Sequence, residues 1–285
     1  MSESFTERAV MLGSRQSLVG ILARPARSSL PDAPAIVILN TGVVHRVGHH
    51  RMYVTMARQL ASAGYQVLRF DFSGIGDSSP RADQLSPVNS CLADIAEVLD
   101  SLEKDHQVKS VVLIGLCSGA DHAVLYAHRD SRIVGMVLMD PSIPPTARYY
   151  FHYIAQRLIR LQNWISVATL RSGLLKRLIT QAMYSVLPQS QPDKLTLEAL
   201  QHSPYLGQCY RSAVRRGAKI LAVFSAISPR STYPQQMRDA FRGVEFGNAL
   251  KLEFLPESDH LFTAGRDRAR LGTVITDWLA AKSPT

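Results

Sequence analysis

Short apolar runs alternate with longer amphipathic stripes along most of this chain. AIVILN (35–40), VVLIG (111–115), IVGMVLMD (133–140) and KILAVFSA (219–226) are continuous apolar runs of strand length, the mark of strands buried on both faces. YQVLRFDFSG (65–74) and ALKLEFL (249–255) read as two more strands. ERAVML (7–12) and SLVGILARP (17–25) predict a β-hairpin around Gly13-Ser14-Arg15. Between strands, RMYVTMARQLASAG (51–64) places apolar residues at 52, 56, 57, 60 and 61 and closes on Gly64, a helical stripe. SPVNSCLADIAEVLDSLEK (86–104) is an amphipathic helix with Pro87 in its first turn, and RARLGTVITDWLAA (268–281) is a closing helix. The alternation predicts an α/β fold, a mostly parallel eight-stranded sheet with helices on both faces.

One interval breaks the rhythm. Residues 141–217 hold helical patterns and no convincing strand, which predicts a helical cap inserted after the sixth strand. The core is then 1–140 and 218–285. No repeat or low-complexity tract interrupts it.

Composition narrows the class. With 46% hydrophobic residues the 285-residue chain can bury a full core, and its apolar runs fall far short of the ~20 residues of a membrane span. MSESFTERAV carries acidic residues and no apolar stretch, so no secretory signal is expected. Three scattered cysteines (Cys91, Cys117, Cys209) predict neither a disulfide framework nor a metal knuckle, and a reduced, cytoplasmic protein is the expectation. The net charge of +9 is concentrated: 141–217 hold ten Lys/Arg against Asp193 and Glu198. No nucleic-acid recognition motif accompanies that charge.

The chemistry centres on VLIGLCSGADHAV (112–124), where Cys117 and Ser118 are adjacent. A segment that leaves a buried strand and opens a helix must bend sharply, and the residues two before and two after the bend pack together. Centred on 117 these are Gly115 and Gly119; centred on 118 they are Leu116 and Ala120, and the leucine does not fit. The spacing therefore selects Cys117 as nucleophile. The helix N-terminus favours a thiolate there, and Ser118 supplies a backbone N–H to an oxyanion hole.

With the elbow, the strand order and Asp259-His260 after the last strand, the chain resembles the α/β-hydrolase superfamily over almost its whole length. The Gly-x-Cys-x-Gly variant is similar to dienelactone hydrolases. NTGVVHRVGHHRMY (40–53) and LRFDFSGIGDS (68–78) look more like exosortase-associated hydrolases. The resemblance implies His260 as general base. It implies a second oxyanion N–H from Thr41, Gly42 or Val43, with Val43 preferred. Asp71-x-x-Gly74-x-Gly76-x-Ser78 resembles a structural turn of the fold. His122 and His128 read as packing or surface residues. His45, His49 and His50 are close in sequence, but no carboxylate or cysteine joins them and the resemblance implies no metal or other cofactor, so they read as loop residues near the active-site mouth.

The acid member departs from the superfamily pattern. The loop after 219–226 reads SAISPRSTYPQQ, with Ser228 near the usual position and no carboxylate before Asp239. The resemblance implies Asp140, since a minority of these enzymes carry the acid at the end of the preceding strand; a cap of the turn into Pro141, or a Cys–His dyad without an acid, are the alternatives. Asp259 is expected to order its loop.

The cap segment mixes Tyr149, Tyr150, Phe151, Tyr153, Trp164 and Tyr184 with Arg157 and Arg160. Aromatic walls predict an acyl chain or ring as substrate body. The arginines read either as a solvated face or as a surface for an anionic substrate group, an acidic carrier protein or a lipid surface. The expectation is a hydrolase of carboxylic esters or thioesters; an acyltransferase or cyclase on the same residues, and a non-catalytic binding member, are the alternatives.

Overall fold

The computed structural model describes residues 4–26, 30, 32–146, 148–149, 204–225, 233 and 235–281. Eight strands form one sheet in the order β1-β2-β4-β3-β5-β6-β7-β8. They are β1 (Phe5–Leu12), β2 (Leu18–Pro25), β3 (Ala35–Ile38), β4 (Val67–Phe70), β5 (Val111–Leu116), β6 (Ile133–Met139), β7 (Lys219–Ser225) and β8 (Leu250–Leu255). The β1–β2 hairpin and the β2–β4 pair are antiparallel; every other pairing is parallel.

Burial follows the sequence pattern. All residues of β3 and β5 are buried, whereas the edge strand β1 is largely exposed and alternates in part. β3 and β4 end earlier than their apolar runs, because the chain at 39–44 and 71–78 leaves the ladder to form loops at the sheet's C-terminal edge.

The described helices are α1 (Met52–Ser62), α2 (Pro87–His106), α3 (Ser118–Ala127), α4 (Pro204–Arg215), α5 (Gln236–Ala240) and α6 (Gly265–Ala280). Ser86 caps α2, accepting the Asn89 N–H at 3.4 Å, with Pro87 in the first turn. α1 and α6 cover one face of the sheet through Leu60, Leu271 and Trp278. α2, α3 and α4 cover the other through Ile95, Val124 and Tyr210. Helix α4 falls within the interval read as cap, yet its apolar face (Leu206, Cys209, Tyr210, Ala213) joins the core cluster of the sheet. Residues 150–203, which hold the remainder of the predicted cap, lie outside the described residues. Among the described residues no helix is long and apolar enough to cross a membrane.

Candidate active site

β5 runs directly into α3, and the bend falls on Cys117, with φ 56° and ψ −118°. A non-glycine residue there is strained, and the surrounding structure must hold it. The Cys117 N–H donates to Met139 O at 2.9 Å, and the Asp121 N–H donates to Cys117 O at 3.2 Å. The flanking glycines are sterically required. A Cβ on Gly115 would lie 2.2 Å from the Gly119 carbonyl carbon, and one on Gly119 would lie 2.6 Å from Asn40 O. The bend also leaves the first N–H groups of α3 without helical partners, as at any helix start.

His260 lies beyond β8, in the loop before α6. Its Nδ1 lies 2.8 Å from Asp140 Oδ2, and it is also hydrogen-bonded to Cys117. The imidazole is part-exposed, and Asp140 is fully buried. The Asp140 bond, then the Cys117 bond, raises the His260 pKa to about 9 against the opposing effect of burial. The structure thus brings Cys117, His260 and Asp140 together from the ends of β5, β8 and β6.

Asp140 is held as firmly as the thiol. It sits at φ 44°, and its N–H donates to Val223 O at 2.9 Å. Its carboxylate accepts the Ser225 N–H at 2.9 Å and the Ser225 hydroxyl at 2.6 Å. Ser225, the last residue of β7, is not marked by the sequence, because a serine ending a strand carries no signal of its own. The loop that follows, with Ser228, lies outside the described residues. Asp239 is engaged elsewhere, accepting the Tyr233 hydroxyl at 2.9 Å and lying 3.7 Å from Arg148. Asp259 accepts the N–H groups of Leu261 at 2.9 Å and Thr263 at 3.1 Å, which orders the His260 loop.

The loop after β3 lies against the elbow. The Val44 N–H donates to Thr41 O at 3.0 Å, closing a turn, and the Gly42 N–H donates to Ser118 Oγ at 2.7 Å. Among the described residues, the Val43 and Ser118 N–H groups have no acceptor. Val43 is 87% exposed. Below the turn, the Tyr53 hydroxyl lies 2.6 Å from Thr41 Oγ1 and meets the Leu116 backbone, and burial raises its pKa to about 12. Asn40 ties the loop to the Asp71 turn, donating to Val44 O at 2.7 Å and accepting the Phe72 N–H at 2.9 Å. Ser78 Oγ closes that turn on Asp71 O at 2.7 Å.

One detail differs from the sequence reading. The structure does join carboxylates to His45: Asp71 at 3.6 Å and Asp77 at 3.8 Å, a group that could hold an ion. The Arg46 guanidinium already occupies the gap, paired with Asp71 and with Asp77. His122 and His128 lie on or at the end of α3, with His122 buried and packed edge-on to Phe72.

Comparison with known proteins agrees with this architecture. A family model described as "Serine aminopeptidase, S33" matches residues 32–227. Human monoglyceride lipase is 29% identical over 123 residues, 42% of this chain, so the match spans about two fifths of that protein's length (41%). An esterase from Pyrococcus furiosus superposes with a TM-score of 0.61 at 15% identity, over 98% of this chain and 93% of that one. A candidate dienelactone hydrolase from Klebsiella pneumoniae gives 0.59 at 15% identity, over 97% and 98%.

Proposed function

The chain belongs to the serine aminopeptidase S33 family of α/β-hydrolases, and from that premise we propose that it hydrolyses carboxylic esters or thioesters through a cysteine acyl-enzyme. The observation that carries this reading is the unbroken line from Cys117 to His260 to Asp140. The family is described by a serine, and the chain has cysteine at the bend. Ser118 is the only neighbouring hydroxyl in sequence, and it is engaged by the Gly42 N–H. Within the α/β-hydrolases, the Gly-x-Cys-x-Gly elbow and residues 40–53 support the nearer likeness to dienelactone and exosortase-associated hydrolases.

In this reaction the Cys117 thiolate adds to the acyl carbonyl carbon, and the carbonyl electron pair moves onto oxygen. The Ser118 and Val43 N–H groups receive that charge. The tetrahedral adduct collapses as the bond to the leaving group breaks, and the His260 imidazolium donates its proton to the departing oxygen or sulfur. Neutral His260 then takes a proton from water, whose oxygen attacks the thioester and releases the acid. Asp140 orients the imidazole and stabilises its protonated form.

The aromatic residues in the sequence of 141–217 support a small acyl compound as substrate, and the basic residues of that segment support an anionic group on it or an acidic carrier. A reduced, cytoplasmic setting keeps the thiol available. Short p-nitrophenyl esters and an acyl thioester are expected to turn over and to leave a transient acyl mass on Cys117. Cys117→Ala is expected to lose both; retained turnover in that variant overturns the reading. Product analysis with and without an added amine or alcohol separates hydrolysis from acyl transfer.

A further inference from the structure

The resemblance implies one oxyanion N–H from the loop after β3, from Thr41, Gly42 or Val43, with Val43 preferred. Two of the three beyond Thr41 are already committed: Gly42 N–H to Ser118 Oγ, and Val44 N–H to Thr41 O. The Gly42 bond has a further consequence. A serine hydroxyl accepts through its lone pairs and still owns one proton to donate. Ser118 Oγ accepts from Gly42 at 2.7 Å, and among the described residues its own proton has no acceptor. Ser118 is 9% exposed, at the first position of α3 and adjacent in the chain to Cys117, with its hydroxyl held against the Gly42 N–H of the loop after β3. A buried hydroxyl with an idle proton costs free energy unless something accepts that proton.

We propose that the Ser118 hydroxyl is itself an oxyanion donor, a catalytic group whose O–H takes the place that the committed Gly42 N–H cannot fill. This rests on the acyl-enzyme reading above. As the Cys117 thiolate adds to the carbonyl carbon, the electron pair displaced onto oxygen is met by the Ser118 O–H beside the Ser118 and Val43 N–H groups. The proton is shared, not transferred, and returns to Oγ when the carbonyl re-forms. Donation by Gly42 into Oγ polarises the hydroxyl and makes it a stronger donor than a free serine. The adjacent Cys-Ser pair then has one nucleophile and one electrostatic partner.

Two reagents that both consume the Cys117 thiol separate this role from a structural one. Iodoacetamide alkylates by displacement at a saturated carbon and builds no oxyanion, whereas a p-nitrophenyl ester acylates through one. Single-turnover acylation by p-nitrophenyl butyrate, followed as nitrophenolate release and as acyl mass on Cys117, is expected to slow about 10²–10³-fold in Ser118→Ala. Iodoacetamide alkylation in the same variant is expected to stay within about threefold of the parent. Ser118→Thr, which keeps the hydroxyl, is expected to recover acylation to within about tenfold. The proposal is overturned if Ser118→Ala acylates as fast as the parent. It is equally overturned if acylation and alkylation fall together, or if acylation speeds up because the hydroxyl had been covering the Gly42 N–H. If the parent's Cys117 is alkylated but never acylated by any ester, the acyl-enzyme reading fails first, and the two failures are told apart.

Discussion

A half-buried histidine, His260, and a buried one, His122, lie in environments that push them in opposite directions. His260, beyond the C-terminal edge of the sheet, touches a carboxylate and a thiol, and its pKa rises to about 9. His122, five residues past Cys117 on the core side of α3, touches Phe72, and burial alone lowers its pKa to about 4. Burial opposes the charge in both places; only the partner differs. The stability consequences therefore have opposite signs. His260 favours the folded state fully below pH ~6.5, and that contribution is lost as pH rises towards 9. The ionisation of His122 costs nothing above pH ~6.5 and destabilises the fold as pH falls towards 4. A titrating group is useful to chemistry where the fold supplies a counter-charge, and a liability where it supplies only hydrocarbon.

The largest expected effect comes from removing the counter-charge. Asp140→Asn keeps the shape and deletes the first cause of the raised His260 pKa. Ester turnover at neutral pH is expected to fall about 10²-fold or more. The alkaline limb of the rate profile, where the imidazolium is lost, is expected to move from about 9 towards the ordinary histidine value. An unmoved limb would mean that Asp140 acts on the turn into Pro141 and not on the base.

A smaller change sharpens the same point. Asp140 Oδ2 receives both the Ser225 hydroxyl at 2.6 Å and His260 Nδ1 at 2.8 Å. Ser225→Ala leaves more of that oxygen's charge for His260. Turnover is expected to fall about tenfold, a loss of roughly one hydrogen bond, while the alkaline limb moves upward, opposite to Asp140→Asn. A downward shift would show that Ser225 serves only to fix the carboxylate.

The two regions also differ in how far the sequence discloses them. The elbow is local: Gly115 and Gly119 flank the bend within one five-residue window, so their spacing alone marks Cys117 as its centre. The acid corner is assembled from afar. Asp140 and Ser225 are 85 positions apart and meet only because β6 and β7 are neighbours in the sheet. The carboxylates beside His45 are hidden in the sequence for the same reason, since Asp71 and Asp77 enter from the turn after β4. Helix α4 illustrates a third limit: an amphipathic stripe reads alike whether it faces a cap or a sheet, and Leu206, Cys209 and Tyr210 face the core.

The smallest effect breaks the comparison from its other side. Among the described residues His122 Nδ1 is a buried atom with no hydrogen-bond partner, and no acidic group is among the causes of its lowered pKa. Replacing it by an apolar side chain of similar size removes an unsatisfied polar atom and the need to stay uncharged. His122→Leu is expected to leave ester turnover unchanged and to stabilise the fold by about 1 kcal/mol near neutrality. Its advantage should widen by up to on the order of 3 kcal/mol as pH falls from 6.5 to 4, because the parent alone then loses stability to a proton bound by the unfolded chain. Thermal unfolding of both proteins across that range checks it. Parallel stability curves would mean that His122 finds a partner for its proton in the folded state, and that the two histidines are less unlike than their surroundings indicate.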